Sequence, residues 1–241
     1  MKGQKAGDEK ESTKEHLLKE AESLWLSMKT KDATVILNKL NLEYPNDYEV
    51  LCAMSHAHVL LGQAGADDIK ETEFREAERY ATKAISINPN RSLGYLRRAS
   101  ASGLLAQRIG IFEVSPAVNR TAEDLRKAIT LNTDGNKVIA MAHFILAKTH
   151  HGLSKVAGIL RFPIGLGWGN IDDALKHFQY AIDLDQNYVL AKFEYAKAMY
   201  EYGKVEAAKD MLKSIQKIRS PDLRDEKYKI EAKRFLEQIS N

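Results

Sequence analysis

A chain of 241 residues that is 44% hydrophobic can bury one large core or one elongated array. Its 36 basic residues exceed its 33 acidic ones by only three, which gives no argument for nucleic acid, where a basic stripe would be expected. The single cysteine, Cys52, excludes an internal disulfide, and no run of about 18 apolar residues is present to span a bilayer.

The first dozen residues, "MKGQKAGDEKES", are charged and small, so the sequence predicts a flexible tail over 1–12. They lack an apolar signal core. Such a tail fits a cytoplasmic protein, and equally a periplasmic one whose signal segment has been removed, so localisation stays open.

From residue 13 on, apolar residues recur at helical spacing, interrupted by short turn signals. Four of these are versions of one phrase: "LEYPND" (42–47), "SINPNR" (86–91), "TLNTDG" (130–135) and "DLDQNY" (183–188). A looser fifth is "KIRSPD" (217–222). Counted from Pro45, Pro89, Thr133, Gln186 and Pro221, the steps are 44, 44, 53 and 35 residues. Against a helix–turn–helix unit of about 34 residues, this predicts five units with insertions in units two, three and four.

The helix ahead of each turn carries small, bulky and small-or-apolar residues at offsets of four and three, which share one helical face. These are Ala33, Leu37 and Leu40; Ala77, Ala81 and Ala84; Thr121, Leu125 and Ala128; Ala174, Phe178 and Ala181. The small residues let a paired helix come close, and the bulky one fills the groove between them. The partner helices carry Met54-Ser55, Leu146-Ala147 and Tyr195-Ala196, and are expected to end at Gly62, Gly152 and Gly203.

This pattern resembles the tetratricopeptide repeat (TPR). The resemblance implies an all-α, right-handed solenoid over 13–221, closed by a capping helix over 222–241. The stretch from His143 to Leu212 is similar, more narrowly, to the TPR region of the regulator-of-microtubule-dynamics family and its bacterial relatives. That likeness implies a non-catalytic adaptor. The T component of certain bacterial solute transporters is similar in architecture only, and implies a rival role as a ligand-binding accessory subunit.

The insertions fall near 63–72, 107–120 and 153–170, each between the two helices of its unit. The first is polar and reads as a loop. The second carries Ile109, Ile111, Phe112 and Val114. The third reads as a continuation of its helix to Pro163, then the glycine-rich "IGLGWGN". The two apolar insertions are expected to pack on each other. Phe112, Phe162 and Trp168 mark this edge as a second contact surface, open to self-association.

Gly165, Gly167 and Gly169 do not make a phosphate loop, which needs a strand before and a helix after within a βαβ unit. His56 and His58 diverge on a helix, as do His150 and His151, and His143 and His150 share a face without a suitably spaced carboxylate. No metal site, cofactor or enzyme activity is therefore expected. What is left is the inner groove of the solenoid, where a protein or peptide segment can lie. The candidates are His56, Phe144, Lys148, His151, Phe193, Lys197 and Tyr200. Lys148 and Lys197, at equivalent positions of successive units, would meet carboxylates, and the rings would meet apolar side chains.

Overall fold

The computed structural model describes the backbone of residues 2–108 and 114–240, and the side chains of these residues from Glu11 onward. It is all-α, with twelve helices and no strand among the described residues. Five pairs follow one another: α1 (Lys2–Leu26) with α2 (Thr30–Glu43), α3 (Tyr48–Ala64) with α4 (Asp67–Ile87), and α5 (Ser92–Ala106) with α6 (Ser115–Leu131). In the fourth, α7 (Asn136–Ser154) pairs with α9 (Ile171–Leu184), and the short α8 (Gly158–Arg161) lies between them. The fifth is α10 (Val189–Glu201) with α11 (Val205–Ile215), and α12 (Arg224–Ser240) follows. First helices also touch the first helices of the next unit, α3 with α5, α5 with α7 and α7 with α10. They form the inner wall of the solenoid.

The small–bulky–small triads carry this packing. Ala33, Leu37, Ala77, Ala81, Ala84, Leu125, Ala128, Ala174, Phe178 and Ala181 are fully buried, and Leu40 and Thr121 nearly so. Ala208, Leu212 and Ile215 repeat the triad on α11. Burying one such leucine or phenylalanine contributes about 1.5–3 kcal/mol. The turns lock each unit to its neighbour. Asp47 caps α3 by accepting from Val50 N at 3.0 Å, and also accepts from Lys14 of α1 at 2.7 Å. Asp134, in the turn after α6, accepts from Leu93 N at 2.9 Å and from the Arg91 guanidinium.

Several local expectations change. The backbone is helical from Lys2, where a tail had been expected through residue 12; Lys, Gln, Ala and Glu are good helix formers, and no proline interrupts them. The 63–72 insertion is mostly helix: α3 runs to Ala64 and α4 starts at Asp67. Gly62 is accordingly inside α3, where a β-carbon would come within 2.5 Å of the Phe74 ring. It serves close helix approach rather than termination. Gly152 is also internal to its helix, whereas Gly203, at φ 78°, does follow the end of α10. The third insertion does not extend α7, which ends at Ser154. Val156 N turns back to Leu153 O at 3.0 Å, and a separate turn of helix, α8, precedes Pro163.

The chain end comes back to its beginning. Leu223 N donates to Leu26 O, the last residue of α1, at 3.0 Å. α12 packs on both α10 and α11. It caps the last unit, as its polar character suggested, and the segment leading into it bridges to the first unit.

Candidate functional site

The inner wall brings some of the sequence-predicted residues together and turns others away. Lys148 on α7 and Lys197 on α10 meet at one carboxylate, Glu194 of α10. Lys148 Nζ donates to Glu194 Oε2, and Lys197 Nζ to Oε1 at 3.1 Å. Burial alone would raise the Glu194 carboxyl. The two ammonium groups outweigh it and hold the group below the usual carboxylate range. The lysine side chains keep 45% and 38% of their exposure, so they can still reach outward. One carboxylate between two ammonium groups leaves one positive charge over.

One turn along, His151 is buried and its Nε2 lies 2.8 Å from Glu201, which also pairs with Lys155 at 2.7 Å. Tyr200 remains 39% exposed and leans edge-on against Phe235 of α12. Phe193 is buried in the cluster with Leu212, Ile215 and Ala232. Phe144 faces Phe178 and Tyr188, at ring separations of 6.2 and 5.2 Å. Phe144 and Phe193 therefore serve packing, Phe193 under α11 and α12 and Phe144 against α9 and the start of α10.

His56 lies at the other end of the wall. Its ring meets Trp25 of α1 edge-on at 4.8 Å, and its Nδ1 is 3.1 Å from Arg97 Nη1 of α5. Burial lowers its pKa far below the ordinary histidine value, and the guanidinium groups of Arg97 and Arg224 push the same way. His56 is thus a neutral acceptor. Sequence reading missed Glu194, Trp25, Arg97 and Arg224. Glu194 had a usable signal, since it stands three residues before Lys197 on the same face. Arg224 had none, because its place depends on the chain closing back on α1.

The insert edge is packed from within. Val114, Leu153, Ala106 and Leu166 form one buried cluster, joined by Ile164 and Trp168, so the described parts of the two insertions do rest on each other. Arg161 organises the glycine-rich loop: its Nη1 donates to the carbonyls of Leu166 at 3.3 Å, Gly167 at 3.1 Å and Gly169. Gly165, at φ 76°, makes the turn. Trp168 Nε1 donates to Asn119 Oδ1 at 2.8 Å, and its ring lies against His150 and under the Arg126 guanidinium. Asn170 caps α9 by accepting from Asp173 N at 2.8 Å. Phe162, 64% exposed, lays its ring over Gly158 and Gly167 on the outside of this packing, and Ile159 and Leu160 are exposed as well. Ile109, Ile111 and Phe112 lie outside the described residues.

A histidine group also emerges beside the insert. His143 and His150 of α7 face His177 of α9; the Nδ1 atoms of His143 and His177 are 2.8 Å apart. Among the described residues, no group of three or more His, Cys, Asp or Glu is arranged to hold a metal ion. Cys52 is buried, and burial pushes its thiol up to about 12, so it is not poised as a nucleophile. A cavity of about 420 Å³ lies at the first insertion, between Met28, Leu61 and Ile69, away from the second and third. No helix among the described residues is long and apolar enough to cross a membrane.

Residues 17–240 match the family described as regulator of microtubule dynamics protein 1-3. The match covers nearly the whole chain, well beyond the last two units on which the sequence resemblance rested. Among solved structures, the chain is similar to a thermophilic TPR protein of Thermus thermophilus, at 15% identity and a TM-score of 0.70, covering 91% of this chain and 98% of that one. It is also similar to PilF of Pseudomonas aeruginosa, at 14% identity and a TM-score of 0.56, covering 94% and 86%. These likenesses establish the TPR solenoid. No curated protein matches the chain.

Proposed function

The chain belongs to the regulator of microtubule dynamics protein 1-3 family, and from that premise we propose that it is a non-enzymatic adaptor whose inner wall binds a protein segment. The observation that carries this is the Lys148–Glu194–Lys197 group. Two half-exposed ammonium groups from successive units share one buried carboxylate, leaving positive charge available along the wall. An extended segment with carboxylates at matching intervals would take up that charge, and Tyr200 offers a partly exposed ring beside it.

The rival role, a pocket for a small solute closed by the inserts, is supported less well. The space beneath the second and third inserts is filled by Leu166, Leu153 and Val114, and the cavity at the first insert lies apart from them. The family description makes microtubules the first partner to test. Co-sedimentation with assembled microtubules should retain the wild-type chain and lose most of a Lys148→Glu/Lys197→Glu variant that keeps its helical circular dichroism. Equal pelleting of both would remove the wall from the binding surface. We also propose the exposed Ile159, Leu160 and Phe162 as a second contact surface, for another copy of the chain.

A further inference from the structure

The three insertions stand in a row along one edge of the solenoid. Arg108, at the start of the second, pairs with Asp67 of the first at 2.9 Å, and the Ser115 hydroxyl of the second donates to the Ile164 carbonyl of the third. Two apolar features on this edge are left uncovered. One is the tip made by α8 and Phe162. Ile159 is 83% exposed, with Leu160 next to it and Phe162 one helical turn on. Arg161, the only charge between Gly158 and Asn170, is held by the loop carbonyls of Leu166 and Gly167, so the tip presents apolar groups alone. The other feature is the cavity of about 420 Å³ at the first insertion. Met28 of the α1–α2 turn, Leu61 and Ala64 at the end of α3, and Ile69 at the start of α4 make its apolar wall, with Lys31 and Asp32 on the α2 side. Met28 and Ile69 are themselves exposed. A cavity of about 150 Å³ takes a benzene ring, so this one has room for a phenyl ring and an aliphatic side chain together.

We propose that the tip of one copy enters the cavity of a second copy, and that two copies pair edge to edge in this way about a two-fold axis. The inference rests on the tip being a self-contact surface, and adds what the tip meets. Tip and cavity lie on the same edge, the tip at the fourth unit and the cavity at the first two. Two copies laid antiparallel along that edge set each tip opposite the other's cavity, and the two contacts close on each other. Area favours this pair over a single contact. The tip exposes on the order of 300 Å² of apolar surface, the size of a patch that is often functional. With the matching cavity wall, one contact buries about 600 Å², no more than an incidental crystal contact, whereas two bury about 1,200 Å², where stable interfaces begin. Tips packed on each other would make one contact of the smaller size and leave both cavities unfilled.

Sedimentation velocity on the full chain reads the pairing. Wild type should form a species of twice the chain mass and nothing larger. Phe162→Asp on the tip and Met28→Asp at the cavity should each weaken dimerisation at least about tenfold, because each drives a carboxylate into an apolar contact. Met28 has φ 60°, a conformation that aspartate tolerates better than methionine, so the cavity variant puts the fold at little risk. An equimolar mixture of the two variants should regain part of the dimer, since the intact tip of one meets the intact cavity of the other. Ile159→Cys mixed with Met28→Cys should oxidise to a mixed disulfide dimer; Cys52 is buried and does not compete. If Phe162→Asp dissociates the dimer and Met28→Asp leaves it unchanged, the tip stands as a self-contact surface and its pairing with the cavity is refuted. A wild-type chain that stays monomeric at the highest concentration reached refutes both. Growth beyond two copies overturns the closed pair.

Discussion

Part of the weakening of this fold in acid should come from one identifiable contact. His143 and His177 sit with their Nδ1 atoms 2.8 Å apart, which requires one to be a donor and the other a bare acceptor. Burial lowers the pKa of each ring to about 4, and in both cases neighbouring cations add to the effect: His177 acts on His143, while His150, Arg126 and Lys176 act on His177. Only Asp173 pulls His177 the other way. In the unfolded chain both would titrate near 6.5. The unfolded state therefore takes up protons first as the pH drops. Stability is fully present above 6.5, falls between 6.5 and about 4, and levels off below. For one ring the linkage amounts to about 2 kcal/mol between pH ~8 and pH ~5. The pair loses less than twice that, because part of each depression comes from the other ring. Urea unfolding followed by circular dichroism and by Trp168 fluorescence at the two pH values measures it. A His143→Gln/His177→Gln variant should lose about 2–3 kcal/mol less than wild type on acidification. Equal losses would show that the two rings do not bear the acid sensitivity assigned to them.

The glycine-rich loop yields a paired prediction. A β-carbon on Gly169 would stand 2.3 Å from the β-carbon of buried Leu153, so Gly169→Ala should cost about 1–3 kcal/mol. Gly167→Ala meets only the ring of Phe162 at 2.3 Å, and that exposed ring can swing out, so thermal unfolding should shift little; equal shifts would mean the loop is not packed this way. At the same edge, Phe162→Asp should leave helicity intact and lower any self-association seen by sedimentation velocity, and an unchanged profile would remove this edge as an interface.

The fold was legible because the TPR unit is written in side-chain volume. A helix that must approach another at Ala174 and Ala181 while filling the gap at Phe178 leaves a mark that survives any change in the surface. The insertions were legible as extra length, since the phrase before each turn fixes the register. Their form was not. Ten extra residues can lengthen two helices, as at Ala64 and Asp67, or make a loop, and polarity alone does not choose between these outcomes. Trp168 could be placed on the insert, but its partner Asn119 lies 49 residues away, at a contact the repeat does not encode.

The site was harder to read for a related reason. Repeat counting finds equivalent positions, and it found Lys148 and Lys197 as one. Equivalence of position is not equivalence of surroundings at the ends of a short array. Phe193 occupies an inner-wall position, yet α11 and α12 bury it. At the first unit, the returning segment bonds beside Trp25, with Leu223 N on Leu26 O. The same curvature that closes the chain on itself carries Arg224 toward His56, adding to the charge of Arg97 rather than cancelling it. A wall with a shared carboxylate at one end and a guanidinium lacking one at the other is not uniform.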